Sequence, residues 1–253
     1  MSDETSEFTH DAFLNDRFRL WQPRGGALRA GHDALLVAAA LPEMATGAAV
    51  DMGAGTGAVG FVAATRAPRL RVVLAEREPS LTQLLRRSIE ETSDPLRMRL
   101  GVAEVDLLAT RSLREAAGLH DGAFDWVLTN PPFHPTEGRV SPDPVRAAAL
   151  TMPAPDFLAR WVAVAATFLR HGGYLIAVGR PENLPTLFSA AENRLGSVAV
   201  LPIHTGDKPA HRILLTAVRG SRAPLRILPS FRLDEEARRR LSAGEGLPVR
   251  LVP

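Results

Sequence analysis

The chain has no cysteine. That removes disulfides, thiolate zinc sites and cysteine nucleophiles together. It also has no apolar run near the ~18–20 residues that a membrane-spanning helix needs. The opening MSDETSE is acidic and polar, the reverse of a signal or transit peptide, so a cytoplasmic protein is expected. Lysine is almost missing: among 30 basic residues Lys208 is the one Lys, and all others are Arg. Arginine never titrates near neutral pH and grips phosphate with a bidentate fork. An Arg- and Ala-rich composition also fits a GC-rich genome, so the abundance alone does not choose a partner. Its distribution says a little more. From Arg219 to Arg250 eight Arg face four acids (Asp234, Glu235, Glu236, Glu245), a local +4 in a chain whose net charge is +2. Such asymmetry suits a basic footprint for a polyanion. What is present in quantity is core material. Hydrophobic residues are 45% of 253, enough for one large α/β domain or two small ones and too many for a disordered chain.

No internal repeat or long low-complexity linker interrupts the chain. Residues 1–10 are expected to form a loose tail at the start of an N-terminal extension, 1–46. Within it Asp33 stands where an N-cap would precede the apolar helix ALLVAAAL, closed by Pro42. Short β-like runs then recur at 48–51, 71–76, 98–102, 126–129 and 174–178. Helical patterns lie at 58–66, 80–91, 112–117 and 154–170, the last stopped by Gly172-Gly173. Alternation of this kind builds a parallel sheet covered on both faces. The runs at 198–202 and 213–217 have only a loop between them and read as a hairpin. The expectation is a Rossmann-like α/β domain over 47–220. Its mostly parallel seven-stranded sheet ends in an antiparallel hairpin, and a basic tail, 221–253, packs on it.

The first strand runs into Asp51-Met-Gly53-Ala-Gly55-Thr-Gly57. Glycines let a chain turn sharply after a strand and let a ligand touch the backbone, while the next helix presents its N-terminal amides. Gly53, Gly55 and Ala58 satisfy the G-x-G-x-x-A of dinucleotide loops, and Asp51 with the same glycines satisfies the D-x-G-x-G-x-G of S-adenosylmethionine loops. A carboxylate two residues before the turn sits poorly beside a pyrophosphate and well beside a cationic methionine portion. Glu76 ends the second strand, where an acid accepts bonds from ribose hydroxyls in both cofactor classes. Asp106, after the third strand, suits an adenine amino group or an ordinary loop cap.

The fourth strand ends in Asn130-Pro131-Pro132-Phe133. Two prolines cannot continue a buried central strand; they stiffen a turn and project its carbonyls. The side-chain oxygen of Asn130 and the main-chain carbonyl of Pro131 can accept both N–H bonds of an exocyclic or amide nitrogen. That would aim the nitrogen's remaining orbital at a methyl sulfonium, with positioning rather than a strong base doing the catalysis. Phe133 would stack on a flipped or single-stranded base.

Together, DMGAGTG and NPPF resemble the amino-methylating S-adenosylmethionine methyltransferases of the "methyltransferase small" group. WQPRGGALRAGHDALLVAAAL, NPPFHPTEGRVSPDPVRAAAL and PAHRILL are similar to segments of the tRNA adenine-N6 methyltransferases that act on tRNA-Val beside the anticodon. The resemblance implies cofactor contacts for Asp33, Asp51, Gly53, Gly55, Gly57, Glu76 and Asp106. It implies a catalytic corner of Asn130, Pro131, Pro132 and Phe133, an S-adenosylmethionine cofactor and an RNA partner, with adenine N6 of a tRNA leading. Phe133 and His134 stand where many adenine-N6 members carry Tyr, and NPPFH is also similar to rRNA guanine-N2 methyltransferases. Guanine N2, protein glutamine N5 and a noncatalytic cofactor- or RNA-binding module therefore stay open.

His134, beside the corner, and Lys208, His211 and Arg212, in the final hairpin, are candidates for substrate contact; a charged hairpin tip is the plainer alternative. Trp21 and Trp161 read as core, and His32 and His204 as packing or surface residues. No His pair has a carboxylate at ligand spacing, so no metal is expected. Arg238-Arg239-Arg240 follows three acids, and helical pairing explains it as well as RNA does.

Overall fold

The structure, a computed structural model, describes residues 7–24, 31–132 and 152–252. It opens with a hairpin of β1 (Phe8–Phe13) and β2 (Phe18–Pro23), paired antiparallel. Phe8, Thr9 and His10 therefore belong to a strand and not to a loose tail. The connection has no Asn-Gly or Gly-Asn signal; it turns through Leu14, Asn15 and Asp16, all at positive φ. Phe18 and Leu20 alternate into the core and are buried.

Seven long strands follow: β3 (Thr46–Met52), β4 (Arg69–Glu76), β5 (Leu100–Glu104), β6 (Phe124–Thr129), β7 (Leu169–Gly179), β8 (Leu195–His204) and β9 (Arg212–Arg219). Their spatial order is β8-β9-β7-β6-β3-β4-β5. From β7 to β5 the pairings are parallel, whereas β9 lies antiparallel to both β7 and β8. The expected architecture is thus present, with an addition at one edge. Two short strands, β10 (Arg226–Ile227) and β11 (Phe231–Arg232), pair parallel with β8 and bring the sheet to nine strands. The C-terminal tail extends the sheet as well as packing on it, and Leu251 and Val252 end buried in the core.

The helices cover both faces: α1 (His32–Ala40), α2 (Ala58–Arg66), α3 (Pro79–Glu90), α4 (Asp94–Arg97), α5 (Arg111–Ala116), α6 (Phe157–Phe168), α7 (Leu184–Ala191) and α8 (Glu235–Ser242). Ala34 to Ala40 of α1 are all buried, because the sheet side and the returning C-terminal segment enclose it; Leu247 N donates to Ala39 O. Two expectations change here. The N-cap of α1 is Gly31, not Asp33, which lies in the first turn and makes no cap bond. And α6 ends at Phe168, directly entering β7, so Gly172-Gly173 lie inside a strand. Pairing of Leu169 with Phe124 begins the β6–β7 ladder and overrides the local helical pattern. No helix among the described residues is long and apolar enough to cross a membrane.

Several arginines prove to be structural. Arg99 Nη1 donates to the carbonyls of Ala64 (2.6 Å), Ala67 and Leu70, closing the C-terminal end of α2. Arg219 Nη1 does the same for α6 through Ala166 (2.6 Å), Thr167 (2.7 Å) and Leu169. A cation at that end also meets the negative pole of the helix. Arg226 bonds the carbonyl of Leu251. Arg239 pairs with Glu236 and Arg240 with Glu245, while Asp234 caps α8 through Ala237 N.

Candidate active site at the carboxyl edge of the sheet

The chain builds β3, β4 and β5 outward in one direction, then returns to place β6 and β7 on the other side of β3. Between β3 and β6 the connections depart to opposite faces, and the crevice outside the carboxyl ends of such a strand pair is where open α/β sheets bind ligands. Both sequence motifs start there. Met52 and Thr129 are Cα partners in the parallel ladder. The next residues are Gly53, opening the glycine turn, and Asn130, opening the double-proline corner. The two motifs therefore stand side by side at the same end of adjacent strands. Asn130 and Pro132 are half-buried and Pro131 is buried. Phe133 and His134 lie outside the described residues.

The glycine turn is pinned to β4. Gly53 N and Ala54 N both donate to Ala75 O, at 2.9 and 3.0 Å. Gly57 has φ +91, and a Cβ there would stand 2.6 Å from Leu85 Cδ2 and 3.1 Å from a ring carbon of Phe61. Gly55 has φ +57 but nothing within 4 Å of the same construction. The turn thus has a packed side at Gly57 and an open side at Gly55. Gly57→Ala is expected to lower stability by about 1–3 kcal/mol in a urea titration. Gly55→Ala costs the fold less, from its backbone alone, and should instead weaken cofactor binding measured by calorimetry.

Three carboxylates near the carboxyl ends of β3, β4 and β5 are in different states. Glu76, at the end of β4, is largely buried and held by three amides: Gly55 N to Oε2 at 2.9 Å, and Arg77 N (2.8 Å) and Glu78 N (3.0 Å) to Oε1. Its orientation is fixed, with lone-pair capacity left for hydroxyl donors. Asp51, inside β3, is 1% exposed; Oδ2 accepts from Gly60 N of α2 at 2.9 Å and Oδ1 has no partner among the described residues. Burial pushes its carboxyl up to about 7, against the pull of the Gly60 amide and with a further push from Glu76. Gly60 carries no sequence signal of its own. A Cβ there would stand 2.2 Å from Leu74 Cδ2 and 3.2 Å from Asp51 Oδ2, so its lack of a side chain is what lets Asp51 reach the helix amide. Asp106 is exposed and folds back on Leu108 N at 2.9 Å, the loop-cap arrangement. An open glycine position, an acid held in one orientation at the end of β4 and a buried acid with an orphaned oxygen fit a nucleoside cofactor with a cationic tail.

The remaining candidates divide. Asp33 and Arg212, expected at the cofactor and at the substrate, bond each other across 179 residues, with Arg212 Nε 3.0 Å from Asp33 Oδ2. Lys208 and His211 are exposed near the β8–β9 turn. Burial and then the neighbouring Arg212 hold the His211 imidazole below its usual range. Trp161 is buried in α6, whereas Trp21 is half-buried in the hairpin. Trp21 is already engaged within the chain: His10 stacks on it at 4.5 Å and the Arg87 guanidinium lies 3.6 Å from the ring centroid. The hairpin was not foreseen as part of the site, yet Gln22 is buried beside the glycine turn, with Thr56 Oγ1 3.4 Å from its Oε1.

Residues 29–206 match the family described as Methyltransferase small domain. A tRNA1(Val) (adenine(37)-N6)-methyltransferase of Porphyromonas gingivalis is 29% identical over 205 residues, covering 76% of each chain. A release factor glutamine methyltransferase of Mycolicibacterium smegmatis is 34% identical over 132 residues, 49% of this chain and 42% of that one. Among solved structures, a protein of Agrobacterium tumefaciens described as a predicted O-methyltransferase superposes with a TM-score of 0.69. It is 27% identical and covers 85% of this chain and 97% of its own.

Proposed function

The chain belongs to the methyltransferase small domain family and is an S-adenosylmethionine-dependent N-methyltransferase, and from that premise we propose that it methylates an exocyclic base nitrogen of RNA, adenine N6 of a tRNA. One observation carries the reading: the Asn130-Pro131-Pro132 corner and the glycine turn leave adjacent parallel strands at the same edge, one residue beyond the Met52–Thr129 pair. The similarity to the Porphyromonas gingivalis enzyme, over three quarters of the chain, supports tRNA and adenine N6 in particular.

When bound, S-adenosylmethionine supplies an electrophilic methyl group on a sulfonium sulfur. The chain's own part is to hold the acceptor. An adenine amino nitrogen has its lone pair delocalised into the ring and attacks poorly. The side-chain oxygen of Asn130 and the main-chain oxygen of Pro131 accept its two N–H bonds, and the nitrogen's lone pair is turned toward the methyl group. This nitrogen, held by Asn130 and Pro131, would take the methyl group as the C–S bond breaks, leaving a neutral thioether, and would then release its extra proton to solvent. No covalent enzyme adduct is needed, so positioning and electrostatics supply the rate. In this scheme Glu76 accepts from the ribose, Asp51 faces the methionine end, and Phe133 stacks on the base. Lys208 and His211 meet substrate phosphate at the rim, with His134 near the base.

Nucleosides from tRNA and rRNA of a strain lacking the gene, compared with the parent by mass spectrometry, test this directly. Loss of N6-methyladenosine from tRNA, restored by the purified enzyme with S-adenosylmethionine, is the expected result. Unchanged tRNA with loss of N2-methylguanosine from rRNA would overturn the base assignment. A second reading, glutamine N5 of a release factor, is favoured by the local 34% identity to the Mycolicibacterium smegmatis enzyme. It predicts unchanged nucleosides and an unmethylated glutamine in the release-factor digest.

A further inference from the structure

Thr129 sits where the two motifs meet. Its hydroxyl donates to the main-chain carbonyl of Met52 at 2.9 Å and accepts from the indole Nε1 of Trp161 at 3.0 Å. Both side chains are buried. Met52 and Thr129 are the last paired residues of the β3–β6 ladder, so backbone pairing ends one residue short of Gly53 and Asn130. The Thr129 side chain adds a tie at that final rung. Trp161 spans both motifs, since ring carbons of its indole lie 3.3 and 3.4 Å from where a Cβ on Gly53 would stand. A small apolar cavity bordered by Pro131, Leu158, Val162, Ala177 and Leu187 lies next to Thr129 and Trp161. A buried hydroxyl is costly unless its bonds are made, and this one makes both a donated and an accepted bond.

We propose that Thr129, oriented by Trp161, is a positioning residue that sets the distance and angle between the glycine turn and the Asn130-Pro131 corner. The proposal rests on the reading that this corner holds the acceptor nitrogen. In-line transfer needs donor and acceptor in a near-attack arrangement, and a misplacement of about 1 Å costs on the order of 10²-fold in rate. Thr129 touches neither partner of the reaction; it acts by fixing the carbonyl of Met52 and the strand end that carries Asn130.

The test uses the full-length enzyme with labelled S-adenosylmethionine and bulk tRNA from the strain lacking the gene. Thr129→Val keeps the shape and removes the hydroxyl; Thr129→Ser keeps the hydroxyl; Trp161→Phe removes the indole donor. Turnover at saturating donor is expected to fall about 10- to 100-fold in Thr129→Val. Donor affinity by calorimetry should stay within about threefold, and Thr129→Ser should recover turnover to within about threefold of the parent, on the same positioning argument. Trp161→Phe should fall between them. A folded Thr129→Val enzyme with parental turnover, or a Ser variant as slow as Val, overturns the proposal. If Thr129→Val does not fold, parental turnover in Trp161→Phe overturns it instead. Asn130→Ala, run alongside, separates the two levels. Full turnover there refutes the corner itself, whereas loss there without loss in Thr129→Val refutes only the positioning role.

Discussion

Asn130→Ala is expected to bind S-adenosylmethionine within about twofold of the parent and to lose turnover by on the order of 10²–10⁴-fold. The separation follows from where the residue stands. The elements proposed for the cofactor are the glycine turn, bonded to Ala75 and Glu76, and Asp51, bonded to Gly60, and neither set of bonds includes Asn130. The variant removes one of the two acceptors proposed for the target nitrogen and leaves the prolines, the ladder and the Thr129 tie in place. Loss of an interaction made with the reacting nitrogen lowers turnover at saturating donor and does not merely raise the donor requirement. Asn130→Asp, which keeps an acceptor oxygen, should retain more activity than Ala. Single-turnover assays beside calorimetric donor titrations read both quantities, and parental turnover in Asn130→Ala would remove the residue from the mechanism.

The second large effect is expected at Asp51, in opposite directions for folding and binding. Its carboxyl, ordinarily near 3.8, is pushed up to about 7 by burial. Between about pH 4 and pH 7 the native state therefore holds a proton that the unfolded chain has released. Stability falls as pH rises through that window and levels off above it. A displacement of this size amounts to on the order of 2–4 kcal/mol by pH 8. Asn keeps the size of the side chain and the acceptor for Gly60 without a charge to bury. Asp51→Asn should thus be more stable than the parent at pH 8 by that amount, with the difference vanishing near pH 4; denaturant titrations at the two pH values check it. Binding should respond in the other sense. If Asp51 faces the cationic methionine end, the variant should lose about tenfold or more in affinity for S-adenosylmethionine. If it is the sulfonium that Asp51 faces, the variant should keep its affinity for S-adenosylhomocysteine, which lacks that charge and retains only the α-ammonium group. Equal losses for both ligands would show that Asp51 does not act on the sulfonium charge. The parent's affinity for the sulfonium form should also rise from pH 6 to pH 8, as Asp51 becomes ionised.

Both substitutions fall in motifs that are legible in the sequence, whereas other parts of the candidate site are not. DxGxGxG and NPP were visible because each is a handful of consecutive residues at the end of a strand. Backbone chemistry local to the strand end decides that such a stretch turns. The hairpin of Phe8–Pro23 was not visible, since its turn uses Leu14, Asn15 and Asp16 at positive φ in place of glycine. Gly60 gave no signal either, because its requirement comes from Leu74 and Asp51, which lie elsewhere in the sequence.

The sequence by itself determined an alternating α/β chain, a parallel sheet ending in an antiparallel pair, and two turns at carboxyl strand ends. All of these follow from side-chain periodicity and from what glycine and proline permit over a few residues. Only the tertiary structure decided which partners the charged and polar groups would find. Asp33 went to Arg212, Arg99 and Arg219 to helix ends, Asp51 to a helix amide, and Thr129 to Met52 and Trp161. Most of these pairings join residues that strand order and register bring together from distant parts of the chain. A hydrogen bond formed within about 3 Å depends on that placement, which no local pattern encodes.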